Sequence, residues 1–229
     1  MTLSHLRKQS KAGFTLIELL VVIAIIGILG AFLVPVVGNA LKKGRKVKSI
    51  TSARQVATGL YTWALDNKRV YPDSSGAEYG GKQGSSPSGS LGGGMEAESR
   101  PLYTYIEEPE AFKAAGDEGD GVISDTSVFD AVGTSYIMAT SGGSAESSGI
   151  ETIRDTSVSS IISPSTKVAV NEPTLFNNRD PRTTPESKWY SQEHAGVVGF
   201  IDGHAAYILN EDYSQLPEDE EEILTRQYY

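Results

Sequence analysis

Three groups of side chains in this sequence have the types and spacing to do chemistry. The first is one carboxylate, Glu18, in an apolar run from Phe14 to Val37 whose only other polar residue is Thr15. A charge at the centre of a membrane helix costs ~2.5–3.5 kcal/mol on insertion scales and usually has a functional partner; Glu18, near the end, can also snorkel or be neutral. The second is GDEGDGVISD, Gly116 to Asp125, where Glu118, Asp120 and Asp125 offer the carboxylate oxygens that calcium takes, with Asp117 in reserve. Asp120-Gly121-x-Ile123 has the form of the middle of a calcium loop. The first loop position, however, falls on Gly116 and the twelfth on Ser127, so both main anchors are missing and an acidic solvated loop is the plainer reading. The third is His194 with Asp202, Gly203 and His204, which could ligate a metal or form a catalytic set. A turn explains Asp202 more simply, no Ser or Cys nucleophile is marked out beside these residues, and no enzymatic role is expected.

The elements that must position these groups follow from charge and periodicity. Arg7, Lys8 and Lys11 precede the apolar run, and Lys42, Lys43, Arg45, Lys46, Lys48 and Arg54 follow it, with no acid in either stretch. Beyond Arg54 the chain carries 11 basic and 28 acidic residues, which argues against nucleic acid as a partner because phosphate would be repelled. The 229 residues include no cysteine, so an exported body must be held by its core, hydrogen bonds, metal or partners. At ~1.5 Å per residue the run is long enough to cross the ~30 Å core of a bilayer. No small-x-small cleavage site follows it, so it differs from an ordinary cleaved signal peptide. The basic cluster reads as a solvated helix face, with lipid headgroups or acidic neighbours as the other reading.

Apolar residues continue at three- and four-residue steps through Val47, Ile50, Ala53, Ala57, Leu60, Tyr61, Ala64 and Leu65, with Arg54 among them. This predicts an amphipathic helix ending near Asp66-Asn67 and passing into an extended Tyr71-Pro72, with Tyr61 and Trp63 in the core. Residues 73–99 are rich in Gly and Ser and read as a surface loop. A short helix is expected within 101–113, strands at Gly133–Thr140 and Lys167–Pro173, and a strand or short helix at Ser148–Asp155. In HAGVVGFIDGHAAYIL, His194 to Leu209, two apolar runs flank Asp202-Gly203, which predicts a hairpin with a two-residue type I′ turn. In that register Phe200 faces Ala205, Val198 faces Tyr207, His204 faces Ile201, and the Val198–Phe200 side packs on the helix. Glu218 to Glu222 form an acidic block in the tail.

Lys11-Ala12-Gly13-Phe14-Thr15-Leu16-Ile17-Glu18, following a basic leader and opening an apolar helix, resembles the processing site of type IV prepilins and of the pseudopilins of type II secretion. The resemblance implies cleavage between Gly13 and Phe14 by a membrane-embedded prepilin peptidase, N-methylation of Phe14, and pairing of Glu18 with the N-terminal ammonium of a neighbouring subunit. It places a proline familiar in the group at Pro35, where the helix would continue with a kink rather than end. The stretch at His194, Asp202 and Gly203 resembles the C-terminal signature of a pilin-like bacterial subgroup that has nine residues between the His and the Asp-Gly, and that often has a Glu upstream, here Glu172. In this chain seven residues intervene.

The expected fold is α+β: a leader (1–13), the membrane and assembly half of a long helix (14–37), its amphipathic half (38–67), and a headpiece (68–229) with the loop 73–99, a small antiparallel sheet packed on the helix, and an acidic tail at 217–222. The expected function is structural. The chain would be a filament subunit, a type II secretion pseudopilin in the first place and a type IV pilus major or minor pilin in the second, with a non-polymerising membrane-anchored binding protein as the contrasting reading. Its partners would be other pilin-like subunits, prepilin peptidase, an inner-membrane assembly platform and the membrane, with calcium as the candidate cofactor. Its place would be the bacterial inner membrane, single-pass, with the headpiece outside the cytoplasm, and then a filament.

Overall fold

A computed structural model describes residues 15–74, 76–86, 93–121, 123–124, 126–139, 153–175, 189–191 and 195–209. Its contacts divide the chain into two units, Met1–Lys43 and Gly44–Tyr229.

The α+β layout is the one expected. Helix α1 (Leu16–Asp66) takes in the apolar run and runs without interruption through Pro35. In the first unit its large apolar side chains, Leu16 to Leu41, are exposed. A helix satisfies its own backbone, which is what a segment in a medium without water requires. In the second unit α1 buries Ser49, Ser52, Ala53, Val56, Ala57, Leu60 and Ala64. This stripe is offset from the one expected: Val47 is 62% exposed and Leu65 39%, while two serines lie inside. Tyr61 and Trp63 are half-buried against the core. The helix ends where Asn67 donates both its backbone N–H and its side-chain amide to the Trp63 carbonyl, at 3.0 and 2.8 Å. Lys68 and Arg69 then turn the chain with positive φ.

The sheet is antiparallel in the order β1 (Ile137–Met138), β2 (Val168–Asn171), β3 (Ala195–Phe200), β4 (Ala205–Leu209). The 101–113 segment forms turns and one 3-10 turn, Pro109–Phe112, instead of a short α-helix. Helix α2 (Val128–Val132) is a five-residue element that the sequence reading missed. Of the Ser148–Asp155 stretch only 153–155 is described, and it is a turn.

The hairpin lies where expected, but its register is one residue off. Val197 pairs with Tyr207 and Gly199 with Ala205. Phe200 donates its N–H to the His204 carbonyl at 2.9 Å, and Gly203 donates to the Phe200 carbonyl at 3.0 Å. The loop is therefore three residues, Ile201-Asp202-Gly203, with positive φ at Gly203 (87°) and not at Asp202. This is the turn-plus-bulge alternative to the type I′ turn. One residue of shift exchanges the faces of the sheet. Gly199, not Val198, looks onto α1: a Cβ built on Gly199 would stand 2.9 Å from the Ala53 carbonyl oxygen and 3.3 Å from Ala57 Cβ.

The Gly/Ser-rich stretch differs most from expectation. Among the described residues of 73–99 only Ala97–Ser99 is a 3-10 turn, yet Ala77 and Tyr79 are completely buried. Arg100 organises it from inside. Its guanidinium, 2% exposed with the rest of the residue, donates to the carbonyls of Ala77 (2.6 Å), Gly80 (2.7 Å), Met95 (3.3 Å) and Val132 (3.2 Å). Backbone acceptors that would otherwise lack a ladder are satisfied by one side chain. Tyr79 adds a bond from its hydroxyl to the Tyr136 carbonyl at 2.8 Å.

Candidate functional site

Glu18 stands in the first turn of α1 and is tied to Thr15. Its Oε2 accepts from the Thr15 N–H (2.8 Å) and hydroxyl (2.7 Å), and Thr15 Oγ1 accepts from the Glu18 N–H at 3.3 Å. Leu19 donates to the Thr15 carbonyl at 3.3 Å, which makes Thr15 the N-cap. This is a reciprocal capping box, the Thr-x-x-Glu pattern that satisfies helix N–H groups otherwise left without acceptors. The pattern was legible in the sequence and went unread. The carboxylate therefore has a role inside its own chain as well as the intersubunit role expected of it. Around it the apolar residues from Leu16 to Val37 stand exposed, and α1 is the one helix among the described residues long and apolar enough to cross a membrane. Gly13 and Phe14, the expected processing site, lie outside the described residues. Pro35 is inside the helix, as its expected continuation required.

In the acidic loop the carboxylates have protein partners. Asp117 Oδ1 accepts from Val128 N–H (2.8 Å) and Gly119 N–H (3.2 Å). Its Oδ2 accepts from Phe129 N–H (2.7 Å), the Ser135 hydroxyl (2.7 Å) and the Ser127 hydroxyl (3.2 Å). Glu118 is exposed and pairs with Arg45 at 2.9 Å. Asp120 is buried, and its Oδ1 accepts from the N–H groups of Ile123 (2.8 Å) and Ser124 (3.1 Å), closing a tight turn. Asp125 lies outside the described residues. Among the described residues no three His, Cys, Asp or Glu side chains gather as a metal site would need.

At the hairpin tip Asp202 Oδ1 accepts from the His204 backbone N–H at 3.0 Å and lies 2.5 Å from its ring Nδ1. Burial alone would raise the Asp202 pKa, but the backbone and ring bonds to His204 hold it below the usual carboxylate range. The His204 ring stacks on Phe200, centroids 4.1 Å apart and 7° from parallel. These contacts close the turn. His194 lies outside the described residues, so the expected trio is not brought together in what the structure describes.

Glu172 follows β2 and is fully buried. Its Oε2 accepts from the Val197 N–H at 2.8 Å, and its Oε1 is 2.7 Å from the Tyr190 hydroxyl. Burial pushes its carboxyl up to about 8, against the smaller pull of the Tyr190 hydroxyl and the Val197 N–H. In the sequence Glu172 was marked only by a resemblance, and its partners come from distant segments.

Residues 8–34 match the family model described as the prokaryotic N-terminal methylation motif. A type IV major fimbrial protein FimA of Dichelobacter nodosus is 38% identical over 63 residues, which is 28% of this chain and 39% of that protein. The type II secretion system core protein G of Klebsiella michiganensis is 43% identical over 68 residues, 29% of this chain and 46% of that protein. Another Dichelobacter nodosus FimA aligns over 119 residues at 29% identity, 52% of this chain and 73% of that protein. The first matches thus span less than half the length of these relatives. No solved structure matches the chain. The similarity to the fimbrial and secretion-system proteins at 38–43% identity lies within stretches of 63–68 residues, and the methylation motif is matched at residues 8–34.

Proposed function

We propose, on the premise that α1 opens with a type IV pilin-like N-terminal segment, that this chain is a structural subunit of a pilus-like filament. The observation that carries it is the coincidence of the methylation motif at 8–34 with a helix whose large apolar side chains from Leu16 to Leu41 stand exposed among the described residues. Such a surface suits a bilayer before assembly and a bundle of identical helices afterwards. In this reading prepilin peptidase cuts between Gly13 and Phe14, Phe14 is N-methylated, and its ammonium pairs with Glu18 of a neighbour. Opposite charges attract far more strongly in apolar surroundings than in water, and an unpaired one is costly there.

A type II secretion pseudopilin is the preferred assignment. Core protein G sequences are among the relatives, and the chain has no cysteine for the disulfide loop common in adhesive major pilins. The alignment over 119 residues to a fimbrial protein supports a type IV pilin as the second reading. An inner-membrane assembly platform and other pilin-like subunits are the partners in both.

Filament incorporation of three variants at one position tests the proposal. Glu18→Gln keeps the capping box, because Gln serves at that position, but cannot pair with an ammonium. Glu18→Ala loses both, and Glu18→Asp keeps the charge on a shorter arm. Loss of incorporation in both Gln and Ala, with partial retention in Asp, supports charge pairing between subunits. Normal incorporation of Glu18→Gln would show that the carboxylate acts only as a cap, normal incorporation of Glu18→Ala would overturn charge pairing between subunits, and absence of the wild-type chain itself from filaments would favour a membrane-anchored protein that does not polymerise.

A further inference from the structure

Five segments of the second unit meet in the hydrogen-bond network that ends on the carboxyl of Glu172. Ser49 on α1 accepts from the Ala115 N–H at 2.8 Å and lies 2.6 Å from the Tyr190 hydroxyl, which is 2.7 Å from Glu172 Oε1. Tyr136 donates to the Ser49 carbonyl at 2.9 Å, and Val197 of β3 donates to Glu172 Oε2. The network fixes the Trp189–Ser191 turn against α1. Tyr190 sits at φ 62°, ψ 16°, a left-handed conformation uncommon for a bulky side chain. A turn of that kind persists because tertiary contacts hold it.

Among the described residues, the titratable groups around Glu172 offer it no counter-charge. The 114–117 segment brings another carboxylate, Asp117, which raises the Glu172 pKa further. Tyr136, Tyr190 and Tyr207 are all phenols pushed up by burial. β3 contributes a backbone N–H. α1 supplies a cation, Lys46, whose Nζ stands 3.9 Å above the Tyr207 ring. Tyr207 in turn meets Tyr190 edge-on, centroids 5.6 Å apart. Among the described residues an ionised Glu172 would be a buried charge with hydrogen bonds and no ion partner, which a fold relieves by letting water in.

We propose that Glu172 is a proton-operated latch: neutral, it holds the Trp189–Ser191 turn on α1, and ionised, it opens that corner of the headpiece to water. The opening is local, because the charge is relieved once the turn lifts. The folded-state value near 8 stands above the ordinary 4.5. The latch is therefore fully closed below about 4.5, weakens as pH rises, and reaches its weakest level above about 8. Between those limits the open population grows up to about tenfold per pH unit.

The test is amide hydrogen exchange of Val197 in the full chain in detergent micelles, as a protection factor corrected for the base dependence of exchange itself. The wild type should lose up to about tenfold protection per pH unit from pH 5 to 8 and level off above. Glu172→Gln should be flat over the same range. A flat wild type, or a variant with the wild-type slope, overturns the proposal. Should Glu172→Gln fail to fold, the carboxyl 13C resonance of Glu172 in the wild-type chain decides: a midpoint near 8 supports the latch, and one near 4.5 overturns it.

Discussion

One chemical change, glycine to alanine, should have opposite effects at two positions in the second unit. At Gly199 the new Cβ would stand 2.9 Å from the Ala53 carbonyl oxygen, 3.0 Å from Val170 Cγ2 and 3.3 Å from Ala57 Cβ. Comfortable contacts between such atoms begin near ~3.5 Å, so β3 and α1 must part by roughly half an ångström. The nearest obstacle is a helix carbonyl, which cannot swing aside as a side chain can. Against a backbone obstacle the overpacking cost lies in the upper part of its range, ~2–3 kcal/mol, and the lower entropy of unfolded alanine returns ~1 kcal/mol, leaving a net loss of about 1–2 kcal/mol. In a chain of this size each kcal/mol moves the Tm by roughly 2–4 °C, so Gly199→Ala should lower it by about 2–8 °C. At Gly44 the same Cβ meets nothing within 4 Å inside a helix, and Gly44→Ala should gain ~0.5–1 kcal/mol, or about 1–4 °C. The assay is thermal unfolding of the full chain in mild detergent, followed by tryptophan emission; Trp189 is buried and Trp63 half-buried in the unit that melts. A Gly199→Ala chain as stable as wild type would refute the placement of that strand face on α1.

Other perturbations probe other parts of the account. Arg100→Met keeps much of the volume but leaves three buried carbonyls and the half-buried Met95 carbonyl without their donor, and at ~1 kcal/mol or more for each buried acceptor it should cost at least ~3 kcal/mol in urea unfolding. Asp117→Ala removes a carboxylate that accepts five bonds, and should cost several kcal/mol, while Asp117→Asn keeps the acceptor and should cost less. Breaking the exposed Arg45–Glu118 pair with Glu118→Gln should change stability by no more than ~0.5 kcal/mol. Because Glu118 and Asp120 are already engaged, millimolar calcium should leave the Tm unchanged; a rise of several degrees would restore the calcium reading of the acidic loop.

What could be read in the sequence was what periodicity and local turn chemistry encode. The long helix and its end at Asp66, β2, the existence of the final hairpin and the α+β class all follow from spacing of apolar residues and from Asp202-Gly203. The register was lost by one residue because Asp-Gly suits both a two-residue turn and a three-residue turn with a bulge, and only pairing across the sheet chooses between them. Ala53, Ala57, Leu60 and Ala64 of the expected helix face are buried, but Ser49 and Ser52 were left off it because they look polar in a sequence, whereas in the fold both are buried and Ser49 lies against the Tyr190 hydroxyl. The 73–99 stretch read as solvent-facing because its organiser, Arg100, acts on carbonyls whose positions no sequence window displays. At the functional end, Glu18 stood out by its charge in an apolar run, and its capping partnership with Thr15 was there to be found three residues upstream.

The filament account rests on a new amino terminus beside the apolar helix. Intact-mass and N-terminal peptide measurements on the chain extracted from membranes of its producing cell test this most directly. The account predicts a chain that begins at Phe14 with one methyl group on its amine. A mature chain that still begins at Met1 would contradict it, because no ammonium would then stand next to Thr15 to meet a neighbour's Glu18.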